Sequence, residues 1–487
     1  MTPPARPDAA VFARLLAALL FSPGLGLPGA TPAAAQTDDP CRGVELGPRA
    51  ECGYLTVLED PSGPATGRTI PIRYLVIRAE RPAGREPVFL FAGGPGQGST
   101  DLAGLARGPF ASVGATRDMV MVDQRGTGGS NPLACPIDLI ANPALAFGHV
   151  FDPEKFARCR TRLEQSADLE LYTTERAIVD VDRVRRHLGY EKILVWGGSY
   201  GTRIGQAYLR AYPEHVAAAV IDGVVPFDFR APAEYAASLQ QSLDRVFADC
   251  AASPDCGPAN PDLPAAFGRL LGTLRRGPAT VTIRRPDSST ASVELALGDF
   301  GYAVRGLLYG SGGGRRLPGM VTEADRTGDL TPFAQAYFNR AAGFNDSFAD
   351  GLHFAIFCAE DVGFIDQGEV PALVRGAFIG SYLIDEYSAI CREWVRAPIG
   401  PGAREPLRAP VPVLVVSGWF DPVTPPEAGE RVARHLPNAR HLIVRNEAHG
   451  AGFGCAAPAV LHVLETASLD GLPEVCAGVT NLFARRR

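Results

Sequence analysis

Lysine is almost absent from this chain: Lys155 and Lys192 stand alone among 47 basic residues, so nearly every positive charge is an arginine. No basic run or basic-aromatic stripe occurs, and the net charge is −6. A nucleic-acid partner is excluded on those grounds, because phosphate backbones are held by clustered cations. C-x-x-C and H-E-x-x-H are also missing, and the eight histidines are scattered. That leaves no metal-ligating spacing. No run of 18 apolar residues exists, so no segment is long enough to cross a bilayer as a helix.

Ten cysteines, by contrast, are plentiful. They fall as sequence neighbours: Cys41 with Cys52, Cys135 with Cys159, Cys250 with Cys256, Cys358 with Cys391, and Cys455 with Cys476. Sequential pairing is the expected connectivity, although spacing alone does not fix it. Arg6 and Arg14 precede or open a short apolar run ending at Phe21, and Ala33-Ala34-Ala35 offers a small-residue cleavage site. Residues 1–35 therefore read as a signal peptide, and every cysteine lies beyond it. An exported protein, periplasmic or secreted, accounts for both features.

The stretch the chain is organised around is KILVWGGSYGT, residues 192–202. A β-forming run, Ile193 to Trp196, stops at Gly197-Gly198, presents Ser199 and restarts beyond Gly201 as a helix. This is the G-x-S-x-G pattern of a tight strand-to-helix turn that holds a serine at an exposed tip. The pattern is short enough to recur by chance in a glycine-rich chain, so its weight depends on what accompanies it.

Around it, Tyr54–Glu59 and Ile70–Arg78 alternate as antiparallel strands. Val88–Ala92, Met119–Val122 and Val216–Ile221 are short apolar runs without alternation, as expected of strands covered on both faces. Glu175–Leu188 has helical spacing. Strands alternating with helices imply a mostly parallel sheet with helices on both faces. The rhythm breaks near Pro226 and resumes near Arg404. Within that block lie amphipathic pieces (Tyr235–Cys250, Ala265–Leu274), a hairpin around Val281–Leu297, and Gly310–Gly314, read as a plain flexible loop. The expected organisation is a core of residues 36–225 and 405–487 interrupted by a mainly helical cap, residues 226–404.

The last two strands, Val411–Ser417 and His441–Val444, are followed by Asp421 and His449. Ligands in parallel sheets bind at those carboxyl ends. A serine hydroxyl needs a base within reach, itself oriented by a third group. The order Ser199, Asp421, His449 supplies all three, with His449 as base and Asp421 as its orienting acid. Asp222, also just beyond a buried strand, is the rival acid. Two backbone N–H groups must hold the developing oxyanion. The Tyr200 N–H follows the nucleophile, and Gly93-Gly94-Pro95-Gly96 offers the second, Gly94 before Gly93.

GGPG, DQRGTGGS, GGSYGT, AYPEHVAAAVIDGVVP, SGWFDPVTPP and EAHG together resemble the proline iminopeptidase and tripeptidyl aminopeptidase group of α/β-hydrolases. AIFCAED, CREW and the tail GCAAPAVLHVLETASLDGLPEVC resemble its secreted tripeptidyl branch. The resemblance implies an α/β-hydrolase fold, the triad Ser199, Asp421 and His449, and removal of residues from a free peptide N-terminus. One departure is Ala92, where many relatives carry a histidine before GGPG. An exopeptidase of this kind needs carboxylates to pair with the substrate ammonium, for which Glu360 and Asp361 are the candidates. Acyl-enzyme chemistry calls for no metal or organic cofactor. The rival functions are a carboxylesterase using the same triad and, more remotely, a non-catalytic binding protein.

Overall fold

The computed structural model describes residues 39–42, 49–136, 138–149, 151–345 and 348–483, without the side chains of 344 and 345. The proposed signal peptide, residues 1–35, lies outside the described residues. Two compact units divide the chain, Met1–Asp39 and Pro40–Arg487, and all that follows concerns the second.

Among the described residues ten strands are formed: β1 (Ala50–Leu58), β2 (Thr69–Ile77), β3 (Val88–Phe91), β4 (Met119–Val122), β5 (Ile193–Gly198), β6 (Val216–Asp222), β7 (Ala279–Arg284), β8 (Thr290–Leu295), β9 (Val413–Gly418) and β10 (Ala439–Val444). Eight of them make one sheet in the order β1-β2-β4-β3-β5-β6-β9-β10, and β7 pairs with β8 alone. β1 and β2 run antiparallel, as does β2 against β4. From β4 to β10 every pairing is parallel. This is an α/β-hydrolase fold.

The apolar runs are continuous because both faces of the sheet are covered. Successive residues of each central strand enter opposite cores. Phe89, Val120, Val195, Ile221 and Val415 belong to one. Leu90, Met121, Leu194, Val220 and Leu414 belong to the other. The helix Thr174–His187 is started by Thr173, whose side chain accepts from the Arg176 N–H. It carries Glu175 in its first turn and Arg185, Arg186 and His187 in its last, each sign at the helix end that favours it.

Between β6 and β9 the regular structure is mainly helical, and the expected hairpin is β7–β8. The flexible loop expected at Gly310–Gly314 is not there. Gly310 caps the helix Ser311–Thr327, and a Cβ on Gly313 would meet the Leu307 carbonyl oxygen at 2.1 Å. Gly313 thus permits close packing against the preceding helix, which the composition alone cannot distinguish from flexibility.

The five disulfides follow the sequential pairing. Cys41 is bonded to Cys52, Cys135 to Cys159, Cys250 to Cys256, Cys358 to Cys391 and Cys455 to Cys476. Their Cα–Cα distances run from 5.0 to 5.8 Å, the separation a disulfide spans without moving the backbone. Cys52 pins the chain before β1 to that strand, and Cys159 ties the helix Pro153–Leu163 to the segment after β4. Cys256 closes the turn at the end of the helix Ala233–Ala252. Cys391 joins the helix Tyr382–Glu393 to the helix Asp350–Glu360, and Cys476 returns the C-terminal segment to the start of the last helix, Ala457–Thr466. Among the described residues no helix is long and apolar enough to cross a membrane.

The stretch DQRGTGGS is scaffold. Asp123 accepts hydrogen bonds from the N–H groups of Thr100 and Gly129. Arg125 is wholly buried and spends its donors on both Asp180 oxygens, at 2.7 and 3.1 Å, and on the carbonyls of Glu59 and Leu171. Arg125→Met leaves Asp180 charged and buried, an expected loss of about 3–5 kcal/mol, read as a lower urea midpoint. Arg269→Met, on the exposed pair Arg269–Asp325, is expected to leave the midpoint in place.

Candidate active site

β5, β6, β9 and β10 are parallel neighbours, so their carboxyl ends lie side by side along one edge. Ser199 follows β5, Asp222 ends β6, Asp421 lies just beyond β9, and His449 beyond β10. Ser199 has φ +56° and ψ −125°, a backbone state that side chains other than glycine adopt only under constraint. The constraint is the helix that follows it, Tyr200–Ala211. A Cβ on Gly201 would meet the Phe91 carbonyl oxygen at 2.1 Å, and one on Gly197 would meet the Gly201 carbonyl oxygen at 2.4 Å. With glycine at both places the helix closes on β3 and β5, and Ser199 is forced to the tip.

Asp421 is buried and fully engaged. It accepts from the N–H groups of Val423 and Thr424, both at 2.9 Å, and from the Thr424 hydroxyl at 2.7 Å. His449 Nδ1 lies 2.7 Å from Asp421 Oδ2 and 3.1 Å from Thr424 Oγ1. The carboxylate can only accept, so Nδ1 carries the proton and Nε2 is left as the basic nitrogen. Burial opposes the charged imidazolium, but the Asp421 carboxylate and its hydrogen bond outweigh it, so the His449 pKa is raised above the ordinary 6.5.

Asp222, the rival acid, makes no hydrogen bond to the ring. It accepts from the N–H groups of Ala451 and Gly452, at 3.0 and 2.9 Å, and so anchors the segment after His449. Burial raises its pKa to about 6, against the pull of those two N–H bonds. Ser199 and His449 line the same cavity, of about 400 Å³, with no hydrogen bond between them, a common state of a catalytic pair before substrate arrives.

Gly93 stands against the serine, and Gly94 lines the same cavity. A Cβ on Gly93 would lie 3.0 Å from the Ser199 Cβ, and Gly94 has φ +112°. Among the described residues neither the Gly94 nor the Tyr200 N–H has an acceptor outside its own element. The loop is supported from the insertion. Buried His353 donates from Nδ1 to the Pro95 carbonyl at 2.9 Å, and its Nε2 accepts from the Tyr387 hydroxyl at 2.8 Å. Burial lowers its pKa to about 4, so it is neutral. A lone histidine in the apolar run Gly351–Cys358 gives no sequence signal of this contact, yet it supplies support to a loop that lacks histidine at Ala92.

The two acids proposed for a substrate amine separate. Glu360 does not line the Ser199 cavity. It accepts from the Thr174 N–H and hydroxyl, both at 2.8 Å, and sits 3.5 Å from Arg203. Its carboxylate is thus used within the protein and faces a different, smaller cavity, which corrects the expectation for Glu360. Asp361 does line the Ser199 cavity, while both its oxygens take N–H groups of Arg203 at 2.8 and 2.9 Å. Burial pushes both carboxyls up and Arg203 pulls them back.

The insertion also holds the loops that carry Asp421 and His449. The His449 N–H donates to the Tyr309 carbonyl at 3.1 Å, and the Tyr309 ring meets the imidazole edge-on. Ser242 donates to the Phe420 carbonyl, and Arg245 to that of Trp419. Among the described residues no cluster of three or more histidine, cysteine or acidic side chains is placed to hold a metal ion.

Two tests follow from this geometry. The rate should climb with pH as His449 loses its proton, with the half-maximum of kcat/KM above 6.5, because a raised pKa keeps the base protonated to higher pH. His353→Phe should lower kcat by about 10- to 100-fold through a displaced glycine loop. It should leave that midpoint unmoved, since His353 carries no charge in the assay range.

Two family descriptions match the sequence: alpha/beta hydrolase fold over residues 86–260 and TAP-like protein over residues 376–476. Ser199 falls in the first, Asp421 and His449 in the second, and His353 in neither. Serine protease Hip1 of Mycobacterium tuberculosis is 28% identical over 443 residues, 82% of this chain and 82% of that protein. A probable proline iminopeptidase of Streptomyces coelicolor is 31% identical over 192 residues, 38% of this chain and 47% of that protein.

Proposed function

The chain belongs to the α/β-hydrolase peptidase family and is a serine hydrolase, and from that premise we propose an exported aminopeptidase, of tripeptidyl or prolyl type, acting on short peptides. The observation that carries the reading is Ser199 at its strained turn in one cavity with His449, whose Nδ1 lies 2.7 Å from Asp421. Export is supported by the five disulfides, bonds that persist in oxidising compartments. Aminopeptidase action is supported by the relatives named proline iminopeptidase and by an acid, Asp361, within the cavity.

In this reading His449 Nε2 takes the Ser199 proton as Oγ attacks the scissile carbonyl carbon. Asp421, held by Thr424, keeps the proton on Nδ1 and stabilises the imidazolium. The N–H groups of Gly94 and Tyr200 hold the oxyanion. His449 then passes its proton to the departing amine, leaving an acyl group on Ser199, and a water activated by the same nitrogen releases it. The cap, residues 226–404, roofs the cavity and limits the peptide that enters. Asp361, rather than Glu360, receives the substrate ammonium.

The test compares a fluorogenic tripeptide amide bearing a free N-terminus with its acetylated twin, using Ser199→Ala as the blank. Losing a buried charge-assisted contact is expected to lower kcat/KM by roughly 30-fold or more. Equal rates on the two substrates, or hydrolysis confined to esters, would replace the aminopeptidase by a carboxylesterase.

A further inference from the structure

The cavity above Ser199 contains a cation that the peptidase chemistry does not use. Arg305, on the helix Leu297–Leu308 of the insertion, is 6% exposed and lines the cavity. Its guanidinium lies among three tyrosine rings, 5.0 Å from the centroid of Tyr235 and 5.1 Å from those of Tyr302 and Tyr309. Among the described residues, its side-chain donors reach one acceptor, the Tyr309 hydroxyl at 3.2 Å. Nε is buried with no partner there. No described carboxylate forms an ion pair with it, and after burial itself the groups that act on it most are tyrosines.

This arrangement is unlike the other buried arginines. Arg125 is saturated by Asp180 and two carbonyls. Arg203 is held by Asp361 and Glu360. Arginine keeps its charge even when buried, so a desolvated guanidinium without a carboxylate has strong unmet demand for an anion. The tyrosine faces offset that demand only in part. Arg340 raises the positive potential further, since its guanidinium lies 4.2 Å from the Tyr309 centroid and the two arginines repel each other. Arg305 is also close enough to disfavour the charged forms of His449 and His353, so it overlooks the reacting centre. Asp361 lines the same cavity but is paired with Arg203, so it leaves the Arg305 charge unanswered.

The geometry points to Arg305 as the binding site for a carboxylate carried by the substrate, supplied either by the free C-terminus of a very short peptide or by an acidic side chain. The planar fork of the guanidinium matches a carboxylate with two parallel N–H bonds. The inference rests on the peptidase reading and narrows its substrates to anionic or zwitterionic short peptides.

The experiment is a set of four tetrapeptides with one neutral side-chain sequence, so that removal of either one residue or three has a bond to cleave, the N-terminus free or acetylated and the C-terminus carboxylate or amide. A second pair replaces a glutamine side chain by glutamate on the C-terminal amide. The N-terminal arm reads the aminopeptidase proposal, and the C-terminal and side-chain arms read Arg305, so one can fail without the other. Wild-type protein is expected to favour a carboxylate in one of these two arms by at least about 30-fold in kcat/KM. The arm that responds names its source. Arg305→Met should bring that ratio close to one, and Arg305→Lys should keep part of it. Should Arg305→Met not fold, calorimetry on the Ser199→Ala protein gives the same comparison as binding, with the carboxylate ligand tighter. If only esters are cleaved, 4-nitrophenyl hydrogen glutarate against 4-nitrophenyl valerate reads the same preference. Equal values for charged and neutral partners in every arm would overturn the assignment, as would a preference that survives Arg305→Met.

Discussion

The distance of closest approach between the helix after Ser199 and the end of β3 governs this site. At Gly201 no atom beyond Cα fits beneath the Phe91 carbonyl, and that contact holds Ser199 in a left-handed backbone state. A helix sitting even one methyl group farther out would let the serine relax to an ordinary conformation, with its hydroxyl turned from the cavity. The strain is stable because the surrounding packing overdetermines it. The Ser199 N–H is tied to the Asp222 carbonyl, β5 is buried, and the helix is buried along most of its length. The sheet then sets the rest, because parallel neighbours deliver the serine, acid and histidine segments to one edge without any of them being near in sequence.

Electrostatics in the site follow a division of labour between saturated and unsaturated groups. Asp421 has its lone pairs filled by two backbone N–H groups, a hydroxyl and the imidazole, so it can hold His449 without drifting toward other donors. Asp222 anchors the next segment in the same way. Glu360, Asp361 and Arg203 form an ion network between the helix after Ser199 and the insertion, with Asp361 at its cavity face. Against this background of satisfied charges, Arg305 stands out as the group with donors to spare.

Much of the fold is legible in the sequence because its signals are local. Short unbroken apolar runs ending in glycine or aspartate mark buried parallel strands, and Val88–Ala92, Met119–Val122 and Val216–Ile221 correspond closely to β3, β4 and β6. Ser199, Asp421 and His449 can be proposed for the same reason, since each follows such a run. The cysteines are readable too: Cys52, Cys159, Cys256, Cys391 and Cys476 each close on the cysteine before them, because short loops bring their own ends together at least entropic cost. The insertion is far less readable. Its helices pack on one another with few turn signals, and Gly310–Gly314 resembles a loop because glycine used for close packing and glycine used for freedom have one composition. Glu360 cannot be told from Asp361 by type, although adjacent residues at a helix end point to different sides. Arg305 and His353 leave no pattern, because their meaning lies in which residues the tertiary fold brings to them. The DQRGTGGS stretch teaches the converse: a recognisable motif, with Asp123 and Arg125 spent on holding the scaffold.

The Tyr309 carbonyl that receives the His449 N–H makes the insertion and the core one machine rather than two modules. A lid that merely covered a finished site could be exchanged between relatives to alter what enters. Here the insertion supplies part of the cradle for His449, and its own His353 props the glycine loop beneath. Recombination of this region therefore has to preserve both contacts, one from the Tyr309 backbone and one from the His353 side chain, before any new preference can be expressed. Divergence in substrate choice should proceed by replacing side chains within the existing roof more readily than by trading the roof itself.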